Sequence, residues 1–298
     1  MVGLGKMGAN MTLRLCRGGH HVVIFDVNHD AVSRVSELTA DATGTNSLEE
    51  LVGKLAPPRA VWVMVPSGEI TASTIEALSG HLAEGDTIID GGNSRYTDSL
   101  DHAAALASKG IGFVDAGTSG GIWGLDEGFC LMIGADPSDY ERLEPIFATL
   151  APEDGYARVG APGAGHFTKM VHNGIEYALM QAYGEGFDIL ANSDLDLKVN
   201  EIAEVWRHGS VVRSWLLDLA ASALEKDPGL ERISGFVEDS GEGRWTVETA
   251  IDQRTPAPAI ATALFNRFAS RREDTFANRM IAALRHEFGG HAVQPRER

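Results

Sequence analysis

Gly3-Leu4-Gly5-Lys6-Met7-Gly8 opens the chain, and its reading decides the fold of the first half. Glycines at this spacing permit a tight turn, close backbone approach to a diphosphate and close packing of the helix that follows. Alone, the run is a weak signal. Two neighbours strengthen it: a helical pattern starts at once, and the apolar run at 21–25 leads to Asp26, about 20 residues downstream, where a carboxylate can bind adenine-ribose hydroxyls. The expected cofactor contacts are Gly3, Leu4, Gly5, Lys6, Met7, Gly8, Asp26, Val27 and Asn28. A carboxylate at 26 repels the 2′-phosphate of NADP, and neither Val27 nor Asn28 supplies a cation to offset it, so NAD is the expected cofactor. Lys6 and Arg34 leave NADP as a weaker one. Only Met1 and Val2 stand where a full strand normally precedes such a fingerprint, which predicts a native start further upstream.

Outward from the fingerprint, β-rich runs at 21–25, 60–65, 87–90, 112–115 and 129–133 alternate with helical stretches. This is the pattern of an α/β doubly wound parallel sheet, a Rossmann-like domain. Such sheets bind ligands at the carboxyl ends of their strands. Those ends carry Asp26, Val65-Pro66-Ser67-Gly68, Asp90-Gly91-Gly92-Asn93 and Asp115-Ala116-Gly117, adding Val65, Pro66, Ser67 and Asn93 to the expected cofactor contacts. Beyond about residue 160 the β signals stop and helical periodicity runs nearly to the end. The chain therefore reads as a dinucleotide-binding domain at 1–161 and an all-α substrate-binding and oligomerisation domain at 162–298, with a long helix starting after Pro162-Gly163.

With 298 residues and a formal charge of −17, the chain has material for two domains and no basic face for nucleic acid or an anionic membrane surface. A small anionic ligand is still compatible, provided named cations build its pocket. No stretch reaches the length of a membrane-spanning helix and no cleavable signal opens the chain, so a soluble cytoplasmic protein is expected. Cys16 and Cys130 lie in unrelated apolar runs without metal or redox spacing, which predicts buried, inert thiols and no metal site.

Lys169-Met170-Val171-His172-Asn173-Gly174-Ile175-Glu176-Tyr177 carries the chemistry. Helical spacing aligns Lys169, His172, Asn173 and Glu176 on one stripe, with Tyr177 beside it. An amine, an imidazole, a carboxamide, a carboxyl and a phenol then share a surface suited to moving protons and holding oxyanions. The plain alternative is an amphipathic helix with a solvated polar face. Against it stands the continuation Ala178-Leu179-Met180-Gln181-Ala182-Tyr183, apolar around most of the circumference, which predicts a helix buried on most sides.

With the fingerprint, Asp115-Ala116-Gly117-Thr118-Ser119-Gly120-Gly121 and the run from Lys169 to Tyr177 in this order, the chain resembles the decarboxylating 6-phosphogluconate dehydrogenases, most closely their short-chain, NAD-preferring branch. The resemblance covers essentially the whole chain. The wider β-hydroxyacid dehydrogenase superfamily shares the fingerprint, a Ser-Gly-Gly turn and a Lys with an Asn four residues later, but generally lacks the arrangement of His172, Glu176 and Tyr177. Gly243-Arg244-Trp245-Thr246 resembles the family's Gly-Lys-Trp-Thr segment, and Asn266-Arg267 falls where the family has a phosphate-binding arginine. The run from Arg285 to His291 resembles a terminal motif that in the family reaches the substrate of a neighbouring subunit.

The resemblance implies that Tyr177, Arg267, Arg285 and His291 hold the substrate phosphate, with Arg285 and His291 acting in trans within a homodimer or homotetramer. It implies that Asn93, Ser119, Gly120, Gly121, His172 and Asn173 orient hydroxyls and carboxylate. Ser240 stands where long-chain members carry a phosphate-contacting Lys, and Asp26-Val27-Asn28 where NADP-specific members have Asn-Arg-Thr. The implied reaction oxidises 6-phosphogluconate at C3 with reduction of NAD, then releases C1 as carbon dioxide to give ribulose 5-phosphate, a step of the pentose phosphate pathway. An amine serves as base where burial disfavours its charged form, which makes Lys169 the expected base; its protonated form then polarises the new keto oxygen without a metal. Glu176, two turns on, is the expected acid toward C1 of the enediol. Two other readings stay open here: a 3-hydroxyisobutyrate-type dehydrogenase using the same lysine on a smaller acid, and a nucleotide-sensing protein that keeps the fold without catalysis.

Overall fold

The computed structural model describes residues 1–272, 275–289 and 292 and, of residues 286, 288 and 289, the backbone alone. The described residues form two compact units, one from Met1 to His172 and one from Asn173 onward. Their boundary falls inside one long helix rather than before it, eleven residues past the division expected at 161/162.

The first unit begins with α1 (Lys6–Arg17), β1 (Val22–Ile24), α2 (His29–Leu38), β2 (Ala42–Gly44), α3 (Leu48–Gly53) and β3 (Ala60–Val63). It continues with α4 (Glu69–Ser79), β4 (Thr87–Asp90), α5 (Tyr96–Ala107), β5 (Gly112–Ser119), a short 3-10 turn (Gly121–Trp123) and α6 (Gly124–Glu127). Then come β6 (Cys130–Gly134), α7 (Pro137–Leu150), β7 (Tyr156–Gly160) and the start of α8 (Ala164–Ala191). Strands β3 to β7 lie in sequence order in a five-stranded sheet, while β1 and β2 pair separately in parallel. Val2 joins the two sheets, bridging to Phe25 on one side and Val63 on the other. Its N–H donates to the Trp62 carbonyl at 2.8 Å and its own carbonyl accepts from Met64 N–H at 2.7 Å. Val2 thus does the pairing of a central strand.

Alternation explains the double winding. Val61, Ile88 and Phe113 enter one core and Trp62, Ile89 and Val114 the other, so successive residues of β3, β4 and β5 feed opposite faces. Helix starts are marked by local polar groups: Asn28 accepts from Asp30 N–H, Ser47 from Glu50 N–H, and Pro137 occupies the first turn of α7. Two elements lie outside the expected strands, β2 and β7. Each is a sheet edge, and β7 is mostly exposed, so neither displays the apolar run by which buried strands are read. The expected all-parallel sheet is broken by β6, which runs antiparallel to β5 with Ser119 opposite Cys130. Cys16 is buried as expected, but Cys130 is exposed, because it is the first residue of β6 and its side chain faces away from the core.

The second unit carries the rest of α8, then α9 (Val199–Trp206), α10 (Trp215–Lys226), α11 (Glu242–Asp252), α12 (Pro258–Ala269) and α13 (Phe276–Gly289). Its buried apolar residues form small groups, one around Tyr177, Ala263 and Leu264 and one around Ala203, Ala221 and Leu224. Ile175, Leu179, Met180 and Ile189 of α8 are exposed, contrary to the helix buried on most sides that its composition predicts. Apolar composition states what a helix can bury; it does not supply the neighbour that buries it. Among the described residues, no helix is long and apolar enough to cross a membrane.

Candidate active site

The fingerprint folds into the turn its spacing requires. Gly3 adopts φ +91°, a conformation that strains other residues, and a Cβ there would lie 2.5 Å from the Met64 carbonyl oxygen. A Cβ on Gly8 would collide with the carbonyl of Gly3, so α1 can approach the strand only with glycine at that place. Gly5, in contrast, faces open space and precedes α1 without any side chain capping the helix start. The first N–H groups of α1 and the positive end of its dipole are therefore presented toward an open approach.

Asp26 sits at the end of β1 with both oxygens engaged: Oδ2 accepts from Leu4 N–H at 2.6 Å and Oδ1 from Asn28 N–H at 2.8 Å. These bonds fix the carboxylate beside the glycine turn. Val27 is 86% exposed, and the Asn28 side chain is committed to capping α2. Lys6 is exposed and Met7 half-buried at the start of α1, while Pro66, Ser67 and Asn93 lie exposed beyond β3 and β4. Val65 packs toward Gly3, and a Cβ on Gly92 would lie 3.2 Å from the Val65 carbonyl, so the three turns at 3–8, 65–68 and 91–93 are neighbours. An uncapped helix start, an open glycine and an acid at the next strand end fit a dinucleotide.

Two acids expected at this rim do something else. Asp90 is fully buried, with Oδ1 accepting from Gly92 N–H at 3.0 Å. Asp115 is also buried and in mid-strand, because β5 runs on to Ser119; it accepts from Gly163 N–H at 2.6 Å and His166 N–H at 2.7 Å. Burial pushes its carboxyl upward, against the opposing pull of His166 and these N–H bonds. Asp115 thus caps the helix that carries the lysine. The His166 ring adds a second tie, its Nδ1 lying 2.7 Å from Ser99 Oγ of α5. Neither Ser99 nor His166 announces this in the sequence; the signal is a carboxylate at 115 between apolar Val114 and Ala116.

Lys169 is 9% exposed. A Cβ on Gly117 would lie 2.5 Å from the Lys169 Cβ and 2.7 Å from the Gly165 carbonyl, so the first turns of α8 rest directly on the backbone of β5. Asp115, Gly117 and Ser119 alternate onto the same strand face, which turns Ser119 to the side on which Lys169 sits. Gly120 and Gly121 follow with φ +123° and +55°. His172 and Asn173 are half-buried further along α8, as is Glu176, two turns beyond Lys169 on the same continuous helix.

Around Tyr177 the second unit builds a polar cluster. The Arg267 guanidinium lies 3.4 Å over the buried ring, and the Tyr177 hydroxyl accepts from Ser240 N–H at 3.3 Å. Ser240 Oγ donates to Glu242, a carboxylate only 2% exposed that the sequence reading missed. Arg267 also donates to the Glu238 carbonyl at 3.0 Å. Asp239 receives Arg244 at 2.8 Å and Arg271 at 3.3 Å, and the Arg244 hydrogen bond holds its carboxyl below the usual range. A Cβ on Gly243 would strike the Tyr177 ring and one on Gly174 would lie 2.7 Å from Thr246, so α8 and α11 touch through glycine. Ser240, Tyr177 and Arg267 are thus together. Arg285 is exposed on α13, and His291 lies outside the described residues.

Residues 1–160 match the family described as the NAD binding domain of 6-phosphogluconate dehydrogenase, and residues 165–294 match its C-terminal domain. A putative 6-phosphogluconate dehydrogenase, YqeC of Bacillus subtilis, is 47% identical over 294 residues, covering 99% of this chain and 98% of its own length. The NAD(+)-dependent, decarboxylating 6-phosphogluconate dehydrogenase of Haloferax volcanii is 41% identical, with 98% and 97% covered. Among solved structures, Plasmodium falciparum 6-phosphogluconate dehydrogenase superposes with a TM-score of 0.84 at 25% identity; this chain is covered completely and spans 66% of that protein's chain. A 3-hydroxyisobutyrate dehydrogenase from Mycobacterium tuberculosis gives a TM-score of 0.73 at 24% identity, covering 95% and 97%, a likeness of fold.

Proposed function

This chain belongs to the 6-phosphogluconate dehydrogenase family, and we propose that it oxidatively decarboxylates 6-phosphogluconate to ribulose 5-phosphate with NAD as the preferred acceptor. The observation that carries this reading is Lys169, buried on the bare backbone of Gly117 and followed two turns later on the same helix by Glu176. The 3–8 turn and Asp26 hold NAD, which when bound accepts the hydrogen that leaves C3 with its electron pair.

Lys169 takes the proton of the C3 hydroxyl. The ammonium so formed donates to the new keto oxygen, and the electron pair of the C1–C2 bond moves into C2–C3 as carbon dioxide leaves. Glu176 delivers the proton that converts the enediol to the ketose. Ser119, Gly120, Gly121, His172, Asn173 and Asn93 orient the sugar acid, and Tyr177, Ser240 and Arg267 take its phosphate end. Arg285 supports a role for a second copy of the chain, since it shares α13 with the exposed Met280, Ile281 and Leu284. Preference for NAD rests on the fixed Asp26 carboxylate and the exposed, uncharged Val27 beside it.

The test is formation of reduced nicotinamide at saturating 6-phosphogluconate with NAD and NADP side by side, together with carbon dioxide release. Turnover with both products, faster with NAD, is expected. Reduction supported by 3-hydroxyisobutyrate and not by 6-phosphogluconate overturns the substrate. Replacing Asp26 with Ser and Val27 with Arg shifts the ratio of kcat/KM toward NADP; an unchanged ratio removes Asp26 from cofactor choice.

A further inference from the structure

Helix α1 does more than start at the glycine turn: its flank grips the segment that follows Ser119. Asn10, Arg14 and Arg17 stand at i, i+4 and i+7 on one stripe of α1. Asn10 Nδ2 donates to the Ile122 carbonyl at 3.2 Å. Arg14 donates through Nη1 to the Leu125 and Asp126 carbonyls at 3.2 and 3.4 Å, and through Nε to Thr149 at 3.0 Å, the last near the end of α7. Arg17 pairs with the Asp126 carboxylate at 3.0 Å. The Leu125 and Asp126 carbonyls belong to the last turn of α6, where helix geometry leaves oxygens without intrahelical partners.

The gripped segment is mostly exposed, with Gly124 buried and Leu125 half-buried. Its backbone passes through Gly120 and Gly121 at positive φ, where chain freedom is greatest, and Ile122 and Trp123 are exposed rather than packed. Its apolar anchor is Gly124 against the Phe129 ring. Polar ties from α1 therefore carry much of its placement.

We propose that Arg14, assisted by Asn10 and Arg17, is a positioning residue that holds the Ser119-Gly120-Gly121 turn in register with the cofactor helix. One helix then presents its N-terminal end to the dinucleotide and fixes the substrate turn with its side. The proposal rests on the reading of residues 119–121 as substrate contacts.

Arg14→Leu keeps an apolar stem and removes the donors; Arg14→Lys restores one cationic donor without the fork. Amide hydrogen exchange in residues 119–128 of Arg14→Leu should quicken by about tenfold while α1 keeps its protection, from the loss of charge-assisted bonds. In the same variant kcat/KM for 6-phosphogluconate should fall by about tenfold or more, with the dissociation constant for NAD, measured by titration, within about twofold of wild type. Arg14→Lys should fall between the two. Unchanged exchange in 119–128, an equal loss of NAD affinity, or exchange raised throughout the first unit overturns the proposal. Wild-type protein inactive on 6-phosphogluconate defeats the proposed function instead, and the exchange comparison then decides the tether by itself.

Discussion

At the nucleotide turn and beneath Lys169 the walls are backbone: Gly3 against Met64, Gly8 against Gly3, Gly117 and Gly165 where α8 rests on β5. Around Tyr177 the walls are long side chains, with Arg267 on the ring, Ser240 tied to Glu242, and Arg244 and Arg271 sharing Asp239. The two constructions fail differently. A backbone wall has no slack, so a single added methyl displaces a helix, whereas a side-chain cluster can lose one member and keep its frame. Under the proposed function, the first kind would fix where the reacting groups stand and the second would set how tightly a charged ligand is held.

Four substitutions probe that contrast. The largest effect belongs to Lys169→Met, which should lower kcat by about 10³-fold while NAD binding persists, within the range ascribed to a positioned base. An equal loss of NAD affinity would mean that the lysine holds the fold and not the reaction. Gly8→Ala should cost about 2 kcal/mol of stability through overpacking and weaken NAD together with it, read as a lowered unfolding midpoint. If the midpoint stays and only activity falls, the wall is softer than described. Arg267→Met should raise KM for 6-phosphogluconate by about tenfold with kcat and the unfolding midpoint nearly kept, because it removes a charged contact made in both ground and transition states. A falling midpoint would make the Tyr177 cluster structural after all.

The smallest effect is on pH dependence. The folded-state pKa of Asp239 lies below its unfolded value of about 3.9, so its contribution is complete above that value and is lost as pH falls through the lower folded one. Asp239→Asn should therefore be less stable than wild type by a constant margin from neutral pH down to about 5, a margin that closes below about 4. Denaturant titrations at several pH values measure it. A margin that widens on acidification would reverse the assigned direction.

The residues proposed for the chemistry were legible where spacing along the chain equals spacing in space. Gly3, Gly5 and Gly8 lie within one turn and one helix start, and Lys169 to Tyr177 within one helix, so local geometry suffices. Asp115 shows where this stops: it reads as a strand-end acid at the crevice, yet the continuation of β5 to Ser119 places it in the interior as the cap of α8. Asn10, Arg14 and Glu242 escaped for a related reason. The partners of Asn10 and Arg14 lie more than a hundred residues away, and Glu242 meets Ser240 at a loop-to-helix junction that has no period to read. The edge strands β2 and β7 escaped because an edge need not be apolar.

By itself the sequence determined the glycine turn with its acid, the alternation that winds helices over both faces of a sheet, and the stripe of polar groups on α8. Each depends on a period or a spacing of a few residues, which the covalent chain enforces before anything packs. Only the tertiary structure decided that β6 runs antiparallel, that Asp115 serves the lysine's helix and not the rim, and that α1 bonds to the segment from Ile122 to Asp126. Those outcomes depend on which distant groups meet once the core has formed, and no local period encodes that meeting.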